Sequence, residues 1–92
     1  MNPLFSARTL TICNRLGLHA RSSAKFVKCV ERYHAQVTVR REGNEVSGAS
    51  IMGLLMLGAA KGAEIEVFAE GEDAIAVLDA LEALVNGAFG ED

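Results

Sequence analysis

The chain is 92 residues long, half hydrophobic, with a formal net charge of −3. That length suits one domain over residues 1–92 with a single core, and that hydrophobic share excludes a disordered chain. No apolar run reaches membrane-spanning length and the N-terminus lacks a basic-then-apolar export pattern, so the expectation is a soluble, cytoplasmic protein.

Residues 8–13 alternate as a strand, with Leu10 and Ile12 inward and Thr9 and Thr11 outward. Residues 14–18 read as a loop. From 20 to 32, Ser23, Phe26, Val27 and Val30 recur at i, i+3, i+4 and i+7, one face of a helix. Residues 36–41 alternate again, with Val37 and Val39 inward. Gly43-Asn44 carries turn chemistry, and 45–48 returns as a short strand. Ser50 is an N-cap for a short helix over 51–57, and Gly58 is its stop. Lys61-Gly62 turns into a strand over 64–69, with Ile65 and Val67 inward. Asp73 can cap a last helix whose core positions are Ala74, Val77, Leu78, Leu81 and Val85. Asn86-Gly87 ends it, and the tail to Asp92 reads as loose.

The order is β-α-β-β-α-β-α, an α+β chain. Every strand alternates, so each buries one face, which favours an antiparallel sheet wetted on the other side. The helices then cover the inner face together.

Charge is segregated. Residues 1–63 hold all nine Lys and Arg with three acids, net +6; residues 64–92 hold nine acids and no base. A net acidic chain argues against nucleic-acid binding. The basic part is compatible with an anionic group handled there. Cys13 and Cys29 have no metal spacing and read as inert, reduced thiols.

The most informative stretch is Gly17-Leu18-His19-Ala20-Arg21. It places a histidine at a helix start, where unpaired N–H groups and the helix dipole suit an anion. Arginine adds a planar fork of donors that fits phosphate oxygens. A neutral imidazole there can act as a nucleophile whose phosphorylated product is held where it forms. Arg15 reads as surface, and His34 as exposed or structural.

These residues resemble the histidine-containing phosphocarrier family of the bacterial phosphotransferase system, from about Arg8 to about Val85. Two motifs carry the resemblance: Gly17-Leu18-His19-Ala20-Arg21 followed by Ala24-Lys25-Phe26-Val27, and Gly48-Ala49-Ser50-Ile51-Met52-Gly53-Leu54 leading to Leu57-Gly58-Ala59-Ala60-Lys61-Gly62. The family implies an open-faced β-sandwich, a four-stranded antiparallel sheet covered on one face by three helices. It implies a phosphoryl carrier rather than a turnover enzyme, with His19 as phosphoacceptor and Arg21 beside it. The implied donor is an enzyme I-type phosphohistidine and the implied acceptor an enzyme IIA-type protein. No metal, organic cofactor, nucleic acid or membrane is expected, and the chain is expected to be a monomer. Ser22 departs from the family, which usually has proline there. It returns an N–H and places a hydroxyl near the phosphate site, and tilts the reading towards a nitrogen-regulatory or general branch.

Ser50 is fully explained as an N-cap. The resemblance adds regulatory phosphorylation there by an ATP-dependent kinase of the HPr kinase/phosphorylase type. On the 51–57 helix, Leu54 and Leu57 turn to the core, which leaves Ile51, Met52 and Leu55 as surplus apolar surface. With Ala20 and Ala24 they form the expected partner-docking patch. The rival reading is a regulatory binding module, in which phosphorylation only controls docking on a target enzyme or kinase.

Overall fold

The computed structural model describes residues 4–91. Four strands, β1 (Phe5–Thr11), β2 (Gln36–Arg41), β3 (Asn44–Ser47) and β4 (Glu64–Glu70), form one sheet in the order β1-β4-β2-β3, antiparallel throughout. Three helices, α1 (Ala20–Glu31), α2 (Ile51–Met56) and α3 (Ala74–Asn86), lie against it. The expected open-faced arrangement is what the chain adopts.

Alternation sets the layers. Leu10, Val37, Val39, Ile65, Val67 and Ala69 are buried on the helix side of the sheet. Thr9, Thr11, Glu64 and Glu66 are exposed on the other side. On that open face Phe5 stacks on Phe68 at 6.3 Å, and Arg40 lies 4.8 Å above the Phe68 ring. On the inner face of the edge strand, Arg8 pairs with Asp79 at 2.7 Å and Glu82 at 2.8 Å, tying β1 to α3.

The face predicted for α1 is buried, joined by Ser22 and Cys29; all five core positions predicted for α3 are buried. Three local expectations are corrected. The first strand runs earlier, from Phe5, because Phe5 and Ala7 pair with Glu70 and Phe68 of β4. Ile12 leaves the ladder but stays buried, donating its N–H to Ala63 O at 2.9 Å. The hairpin turn falls on Glu42-Gly43, one residue before the predicted Gly43-Asn44. Both turn residues have positive φ, 51° and 84°, which matches the twist of a two-residue hairpin. Asp73 occupies the N-cap of α3 but caps nothing with its side chain; its carboxylate accepts from His34 N–H at 2.7 Å instead.

The tail is the largest correction. Residues Ala88–Gly90 form a 3-10 turn, Phe89 is fully buried, and Glu91 folds back onto the loop before α1. A lone aromatic recovers more by entering the core than a short acidic tail gains from freedom. Asp92 lies outside the described residues. No described helix is long and apolar enough to cross a membrane.

Candidate functional site

The loop between β1 and α1 is tightly anchored. Gly17 takes a φ of +68°, and a Cβ there would lie 2.4 Å from Ala59 O. Only glycine fits both the angle and the approach. The next residue, Leu18, is buried and donates its N–H to Ala59 O at 2.9 Å. Asn14, fully buried, donates from Nδ2 to Gly17 O at 2.8 Å. The chain therefore enters α1 along a fixed path, with His19 immediately before its first residue.

His19 is itself the N-cap of α1. Its backbone is extended, and its Nδ1 accepts from Arg21 N–H at 3.3 Å. The cap is reciprocal: Ser22 Oγ accepts from His19 N–H at 2.9 Å. Ser22 Oγ donates its own proton to Gly17 O at 2.8 Å, and the residue is fully buried. The hydroxyl lies beside His19, as expected, and both of its hydrogen bonds belong to the cap. Serine holds by hydrogen bonds the helix start that proline would hold by a fixed φ.

The His19 side chain is 27% exposed, at the edge of an open depression of about 590 Å³ lined by Arg15, Leu16, His19, Ala20, Arg21 and Glu91. Two arginines thus face the space beside the histidine. Arg21 is exposed in the first helical turn, where the dipole disfavours a cation, and Arg15, expected to be plain surface, joins it. On the other ring nitrogen, Glu91 Oε1 lies 2.8 Å from His19 Nε2, with Oε2 at 3.1 Å. Asn14 Nδ2 also donates to Glu91 Oε1 at 2.8 Å. The His19 hydrogen bond, then that of Asn14, lowers the Glu91 carboxyl below its ordinary value.

Ser50 caps α2, its Oγ accepting from Gly53 N–H at 2.9 Å. Leu54 and Leu57 are buried as expected. The exposed side of α2 carries Ile51, Met52 and Met56, with Met52 68% and Met56 78% exposed; Leu55 is half-buried, so Met56 takes the place expected for it. Ala20 is exposed, Ala24 half-buried. Leu16, 65% exposed, adds apolar surface beside His19. His34 is exposed and away from this depression. Cys13 is exposed and Cys29 buried, both free. No group of three or more His, Cys, Asp or Glu among the described residues could hold a metal ion.

Sequence reasoning missed Asn14, Leu16, Met56 and Glu91. Asn14 had a signal, since an Asx side chain before a glycine turn commonly closes that turn. Glu91 had none of its own; the signal was Phe89, an aromatic stranded in a tail.

Comparison with known proteins identifies the family and the fold. The family described as "PTS HPr component phosphorylation site" matches residues 6–87. Phosphocarrier protein HPr of Neisseria meningitidis is 45% identical over 84 residues, 91% of this chain and 94% of the relative. Phosphocarrier protein NPr of Shewanella violacea is 43% identical over 84 residues, 91% of this chain and 92% of the relative. A crystal structure of HPr from Thermoanaerobacter tengcongensis superposes with a TM-score of 0.90 at 36% identity, covering 95% of this chain and 98% of that one.

Proposed function

The chain belongs to the HPr family of phosphotransferase-system phosphocarriers, which carry a phosphoryl group and are not turnover enzymes, and on that premise we propose that His19 accepts the group from an enzyme I-type phosphohistidine and hands it to an enzyme IIA-type protein. One observation carries the reading: Nδ1 of His19 faces the N-terminus of α1 and accepts from the Arg21 N–H of its first turn, with Arg21 and Arg15 lining the same depression. A nitrogen that accepts a hydrogen bond has its lone pair available as a nucleophile. The phosphoryl oxygens that arrive would meet the helix N–H groups and the arginine forks. Transfer is then a matter of positioning and charge stabilisation. No cofactor enters the step.

Ile51, Met52 and Met56, with Leu16 and Ala20 around His19, supply the docking surface in this proposal. Ser50 at its edge is the regulatory position. Relatives named HPr and NPr are similarly close, so the reading spans a general carrier and a nitrogen-regulatory one. The carrier works as a monomer in the cytoplasm.

The test is incubation with labelled phosphoenolpyruvate and a general enzyme I. Acid-labile, base-stable label on the wild type, and none on His19→Ala with an unchanged melting temperature, is the expected result. Label retained on His19→Ala would sink the assignment.

A further inference from the structure

Glu91 has no part in the proposal above, yet the chain goes to some length to place it. Ala88, Phe89 and Gly90 take successive φ values of 56°, 55° and 73°. Left-handed backbone is unfavourable for the two that are not glycine. Two contacts hold it there: the buried Phe89 ring and a 2.6 Å hydrogen bond from Lys25 Nζ to Phe89 O. The turn delivers Glu91 to one place, where its side chain is 19% exposed between His19 Nε2 and Asn14 Nδ2. An imidazole whose Nδ1 accepts a hydrogen bond and whose Nε2 faces a carboxylate is the Nε2–H tautomer.

We propose that Glu91 is a positioning residue for phosphoryl transfer at His19: its carboxylate holds the Nε2–H tautomer, so that Nδ1 keeps its lone pair, and it faces the charge the ring gains when Nδ1 is phosphorylated. The inference rests on the phosphocarrier reading. In the step, the Nδ1 lone pair forms the new N–P bond. The P–N bond of the donor phosphohistidine breaks, and its electron pair returns to the donor ring nitrogen. The Nε2 proton stays in place, so the His19 ring becomes a phosphorylated imidazolium with Glu91 at hydrogen-bond distance. The opposite tautomer would present an N–H at the attacking position and could not accept the group. Among the described residues, the other charges near this pair are Arg15 and Arg21, which line the depression, and Lys25, which attracts the Glu91 carboxylate.

The test uses the full-length protein and the variants Glu91→Ala and Glu91→Gln. Ring 15N shifts report the His19 tautomer, and labelled transfer from phosphorylated enzyme I reports rate. Wild type is expected to hold one Nε2–H tautomer. Glu91→Ala is expected to show a mixture and to accept phosphate about tenfold more slowly, the lower end of what a charged hydrogen bond represents. Glu91→Gln keeps an acceptor oxygen, so it holds the tautomer and loses less rate. Should Glu91→Ala match wild type in tautomer, the inference falls, whatever its rate. A mixed tautomer with an unchanged rate overturns it equally. An unlabelled wild type overturns the phosphocarrier reading itself, and this inference with it.

Discussion

Truncating Phe89 to alanine distinguishes a C-terminal turn that is part of the rigid core from one that the ring alone pins down. Phe89 is fully buried. In a rigid core the loss of a phenyl ring costs about 3–5 kcal/mol, transfer plus cavity. Here the turn can let go instead of standing over a hole. Release forfeits about 1.5–3 kcal/mol of burial and about 1 kcal/mol for the Lys25–Phe89 hydrogen bond. It also relieves the left-handed backbone of Ala88 and Phe89, at about 1 kcal/mol each. The expected net loss is about 0.5–2 kcal/mol. At about 4–8 °C per kcal/mol for a chain of this size, the melting temperature falls by roughly 2–16 °C. Amide exchange at residues 88–91 should rise to that of an unstructured tail while the sheet stays protected. A loss of about 3–5 kcal/mol with those amides still protected would refute the reasoning.

Met52→Glu should weaken binding to enzyme I with a melting temperature within a few degrees of wild type, because the side chain is 68% exposed; a large drop in stability with binding unchanged would place Met52 in the core. Ser50→Asp keeps a good N-cap but adds charge at the edge of the docking surface, whereas Ser50→Asn keeps the cap without charge; phosphorylation of His19 should slow in the first only, and equal rates would leave Ser50 a cap and nothing more. The Glu91 carboxyl is lowered in the folded protein, so the unfolded chain binds its proton first as pH falls. Its stabilisation is therefore complete above the ordinary carboxylate range, about pH 4.3, and disappears as pH drops through the lowered value. Melting temperatures of wild type and Glu91→Gln should converge on acidification below that range, and a gap that widens there would contradict the sign.

Elements whose hydrophobic period matches their burial were legible in the sequence. The five core positions of α3 and the alternation of β2 and β4 could be read because one face of each meets the core and the other meets water. The placement of His19 and Arg21 at a helix start was legible from the glycine turn and the helical period that follows it, and the structure brings both to one depression. What escaped depends on contacts between distant parts of the chain. Glu91 meets Asn14 and His19 across more than 70 positions, and no local pattern records that. Asp73 looked like an ordinary cap until His34 N–H claimed its carboxylate. The acceptor of the Ser22 hydroxyl, Gly17 O, was equally hidden, because the loop that carries it is fixed by Ala59.

In the proposed carrier, a histidine that caps its own helix cannot keep that role while it is loaded. Once the Nδ1 lone pair is bonded to phosphorus, Arg21 N–H loses its nitrogen acceptor and gains phosphoryl oxygens in its place. The empty and loaded forms then differ in how the same helix is terminated, one by an uncharged ring and the other by an oxyanion suited to the helix dipole. By linkage, every increment by which the oxyanion is the better cap is an increment by which the group is held back from the next acceptor. A helix end too well matched to phosphate would make a store; a relay needs the two terminations close in free energy. The reciprocal bond from His19 N–H to Ser22 Oγ uses no ring nitrogen, so in this proposal it is common to both forms and preserves the helix start.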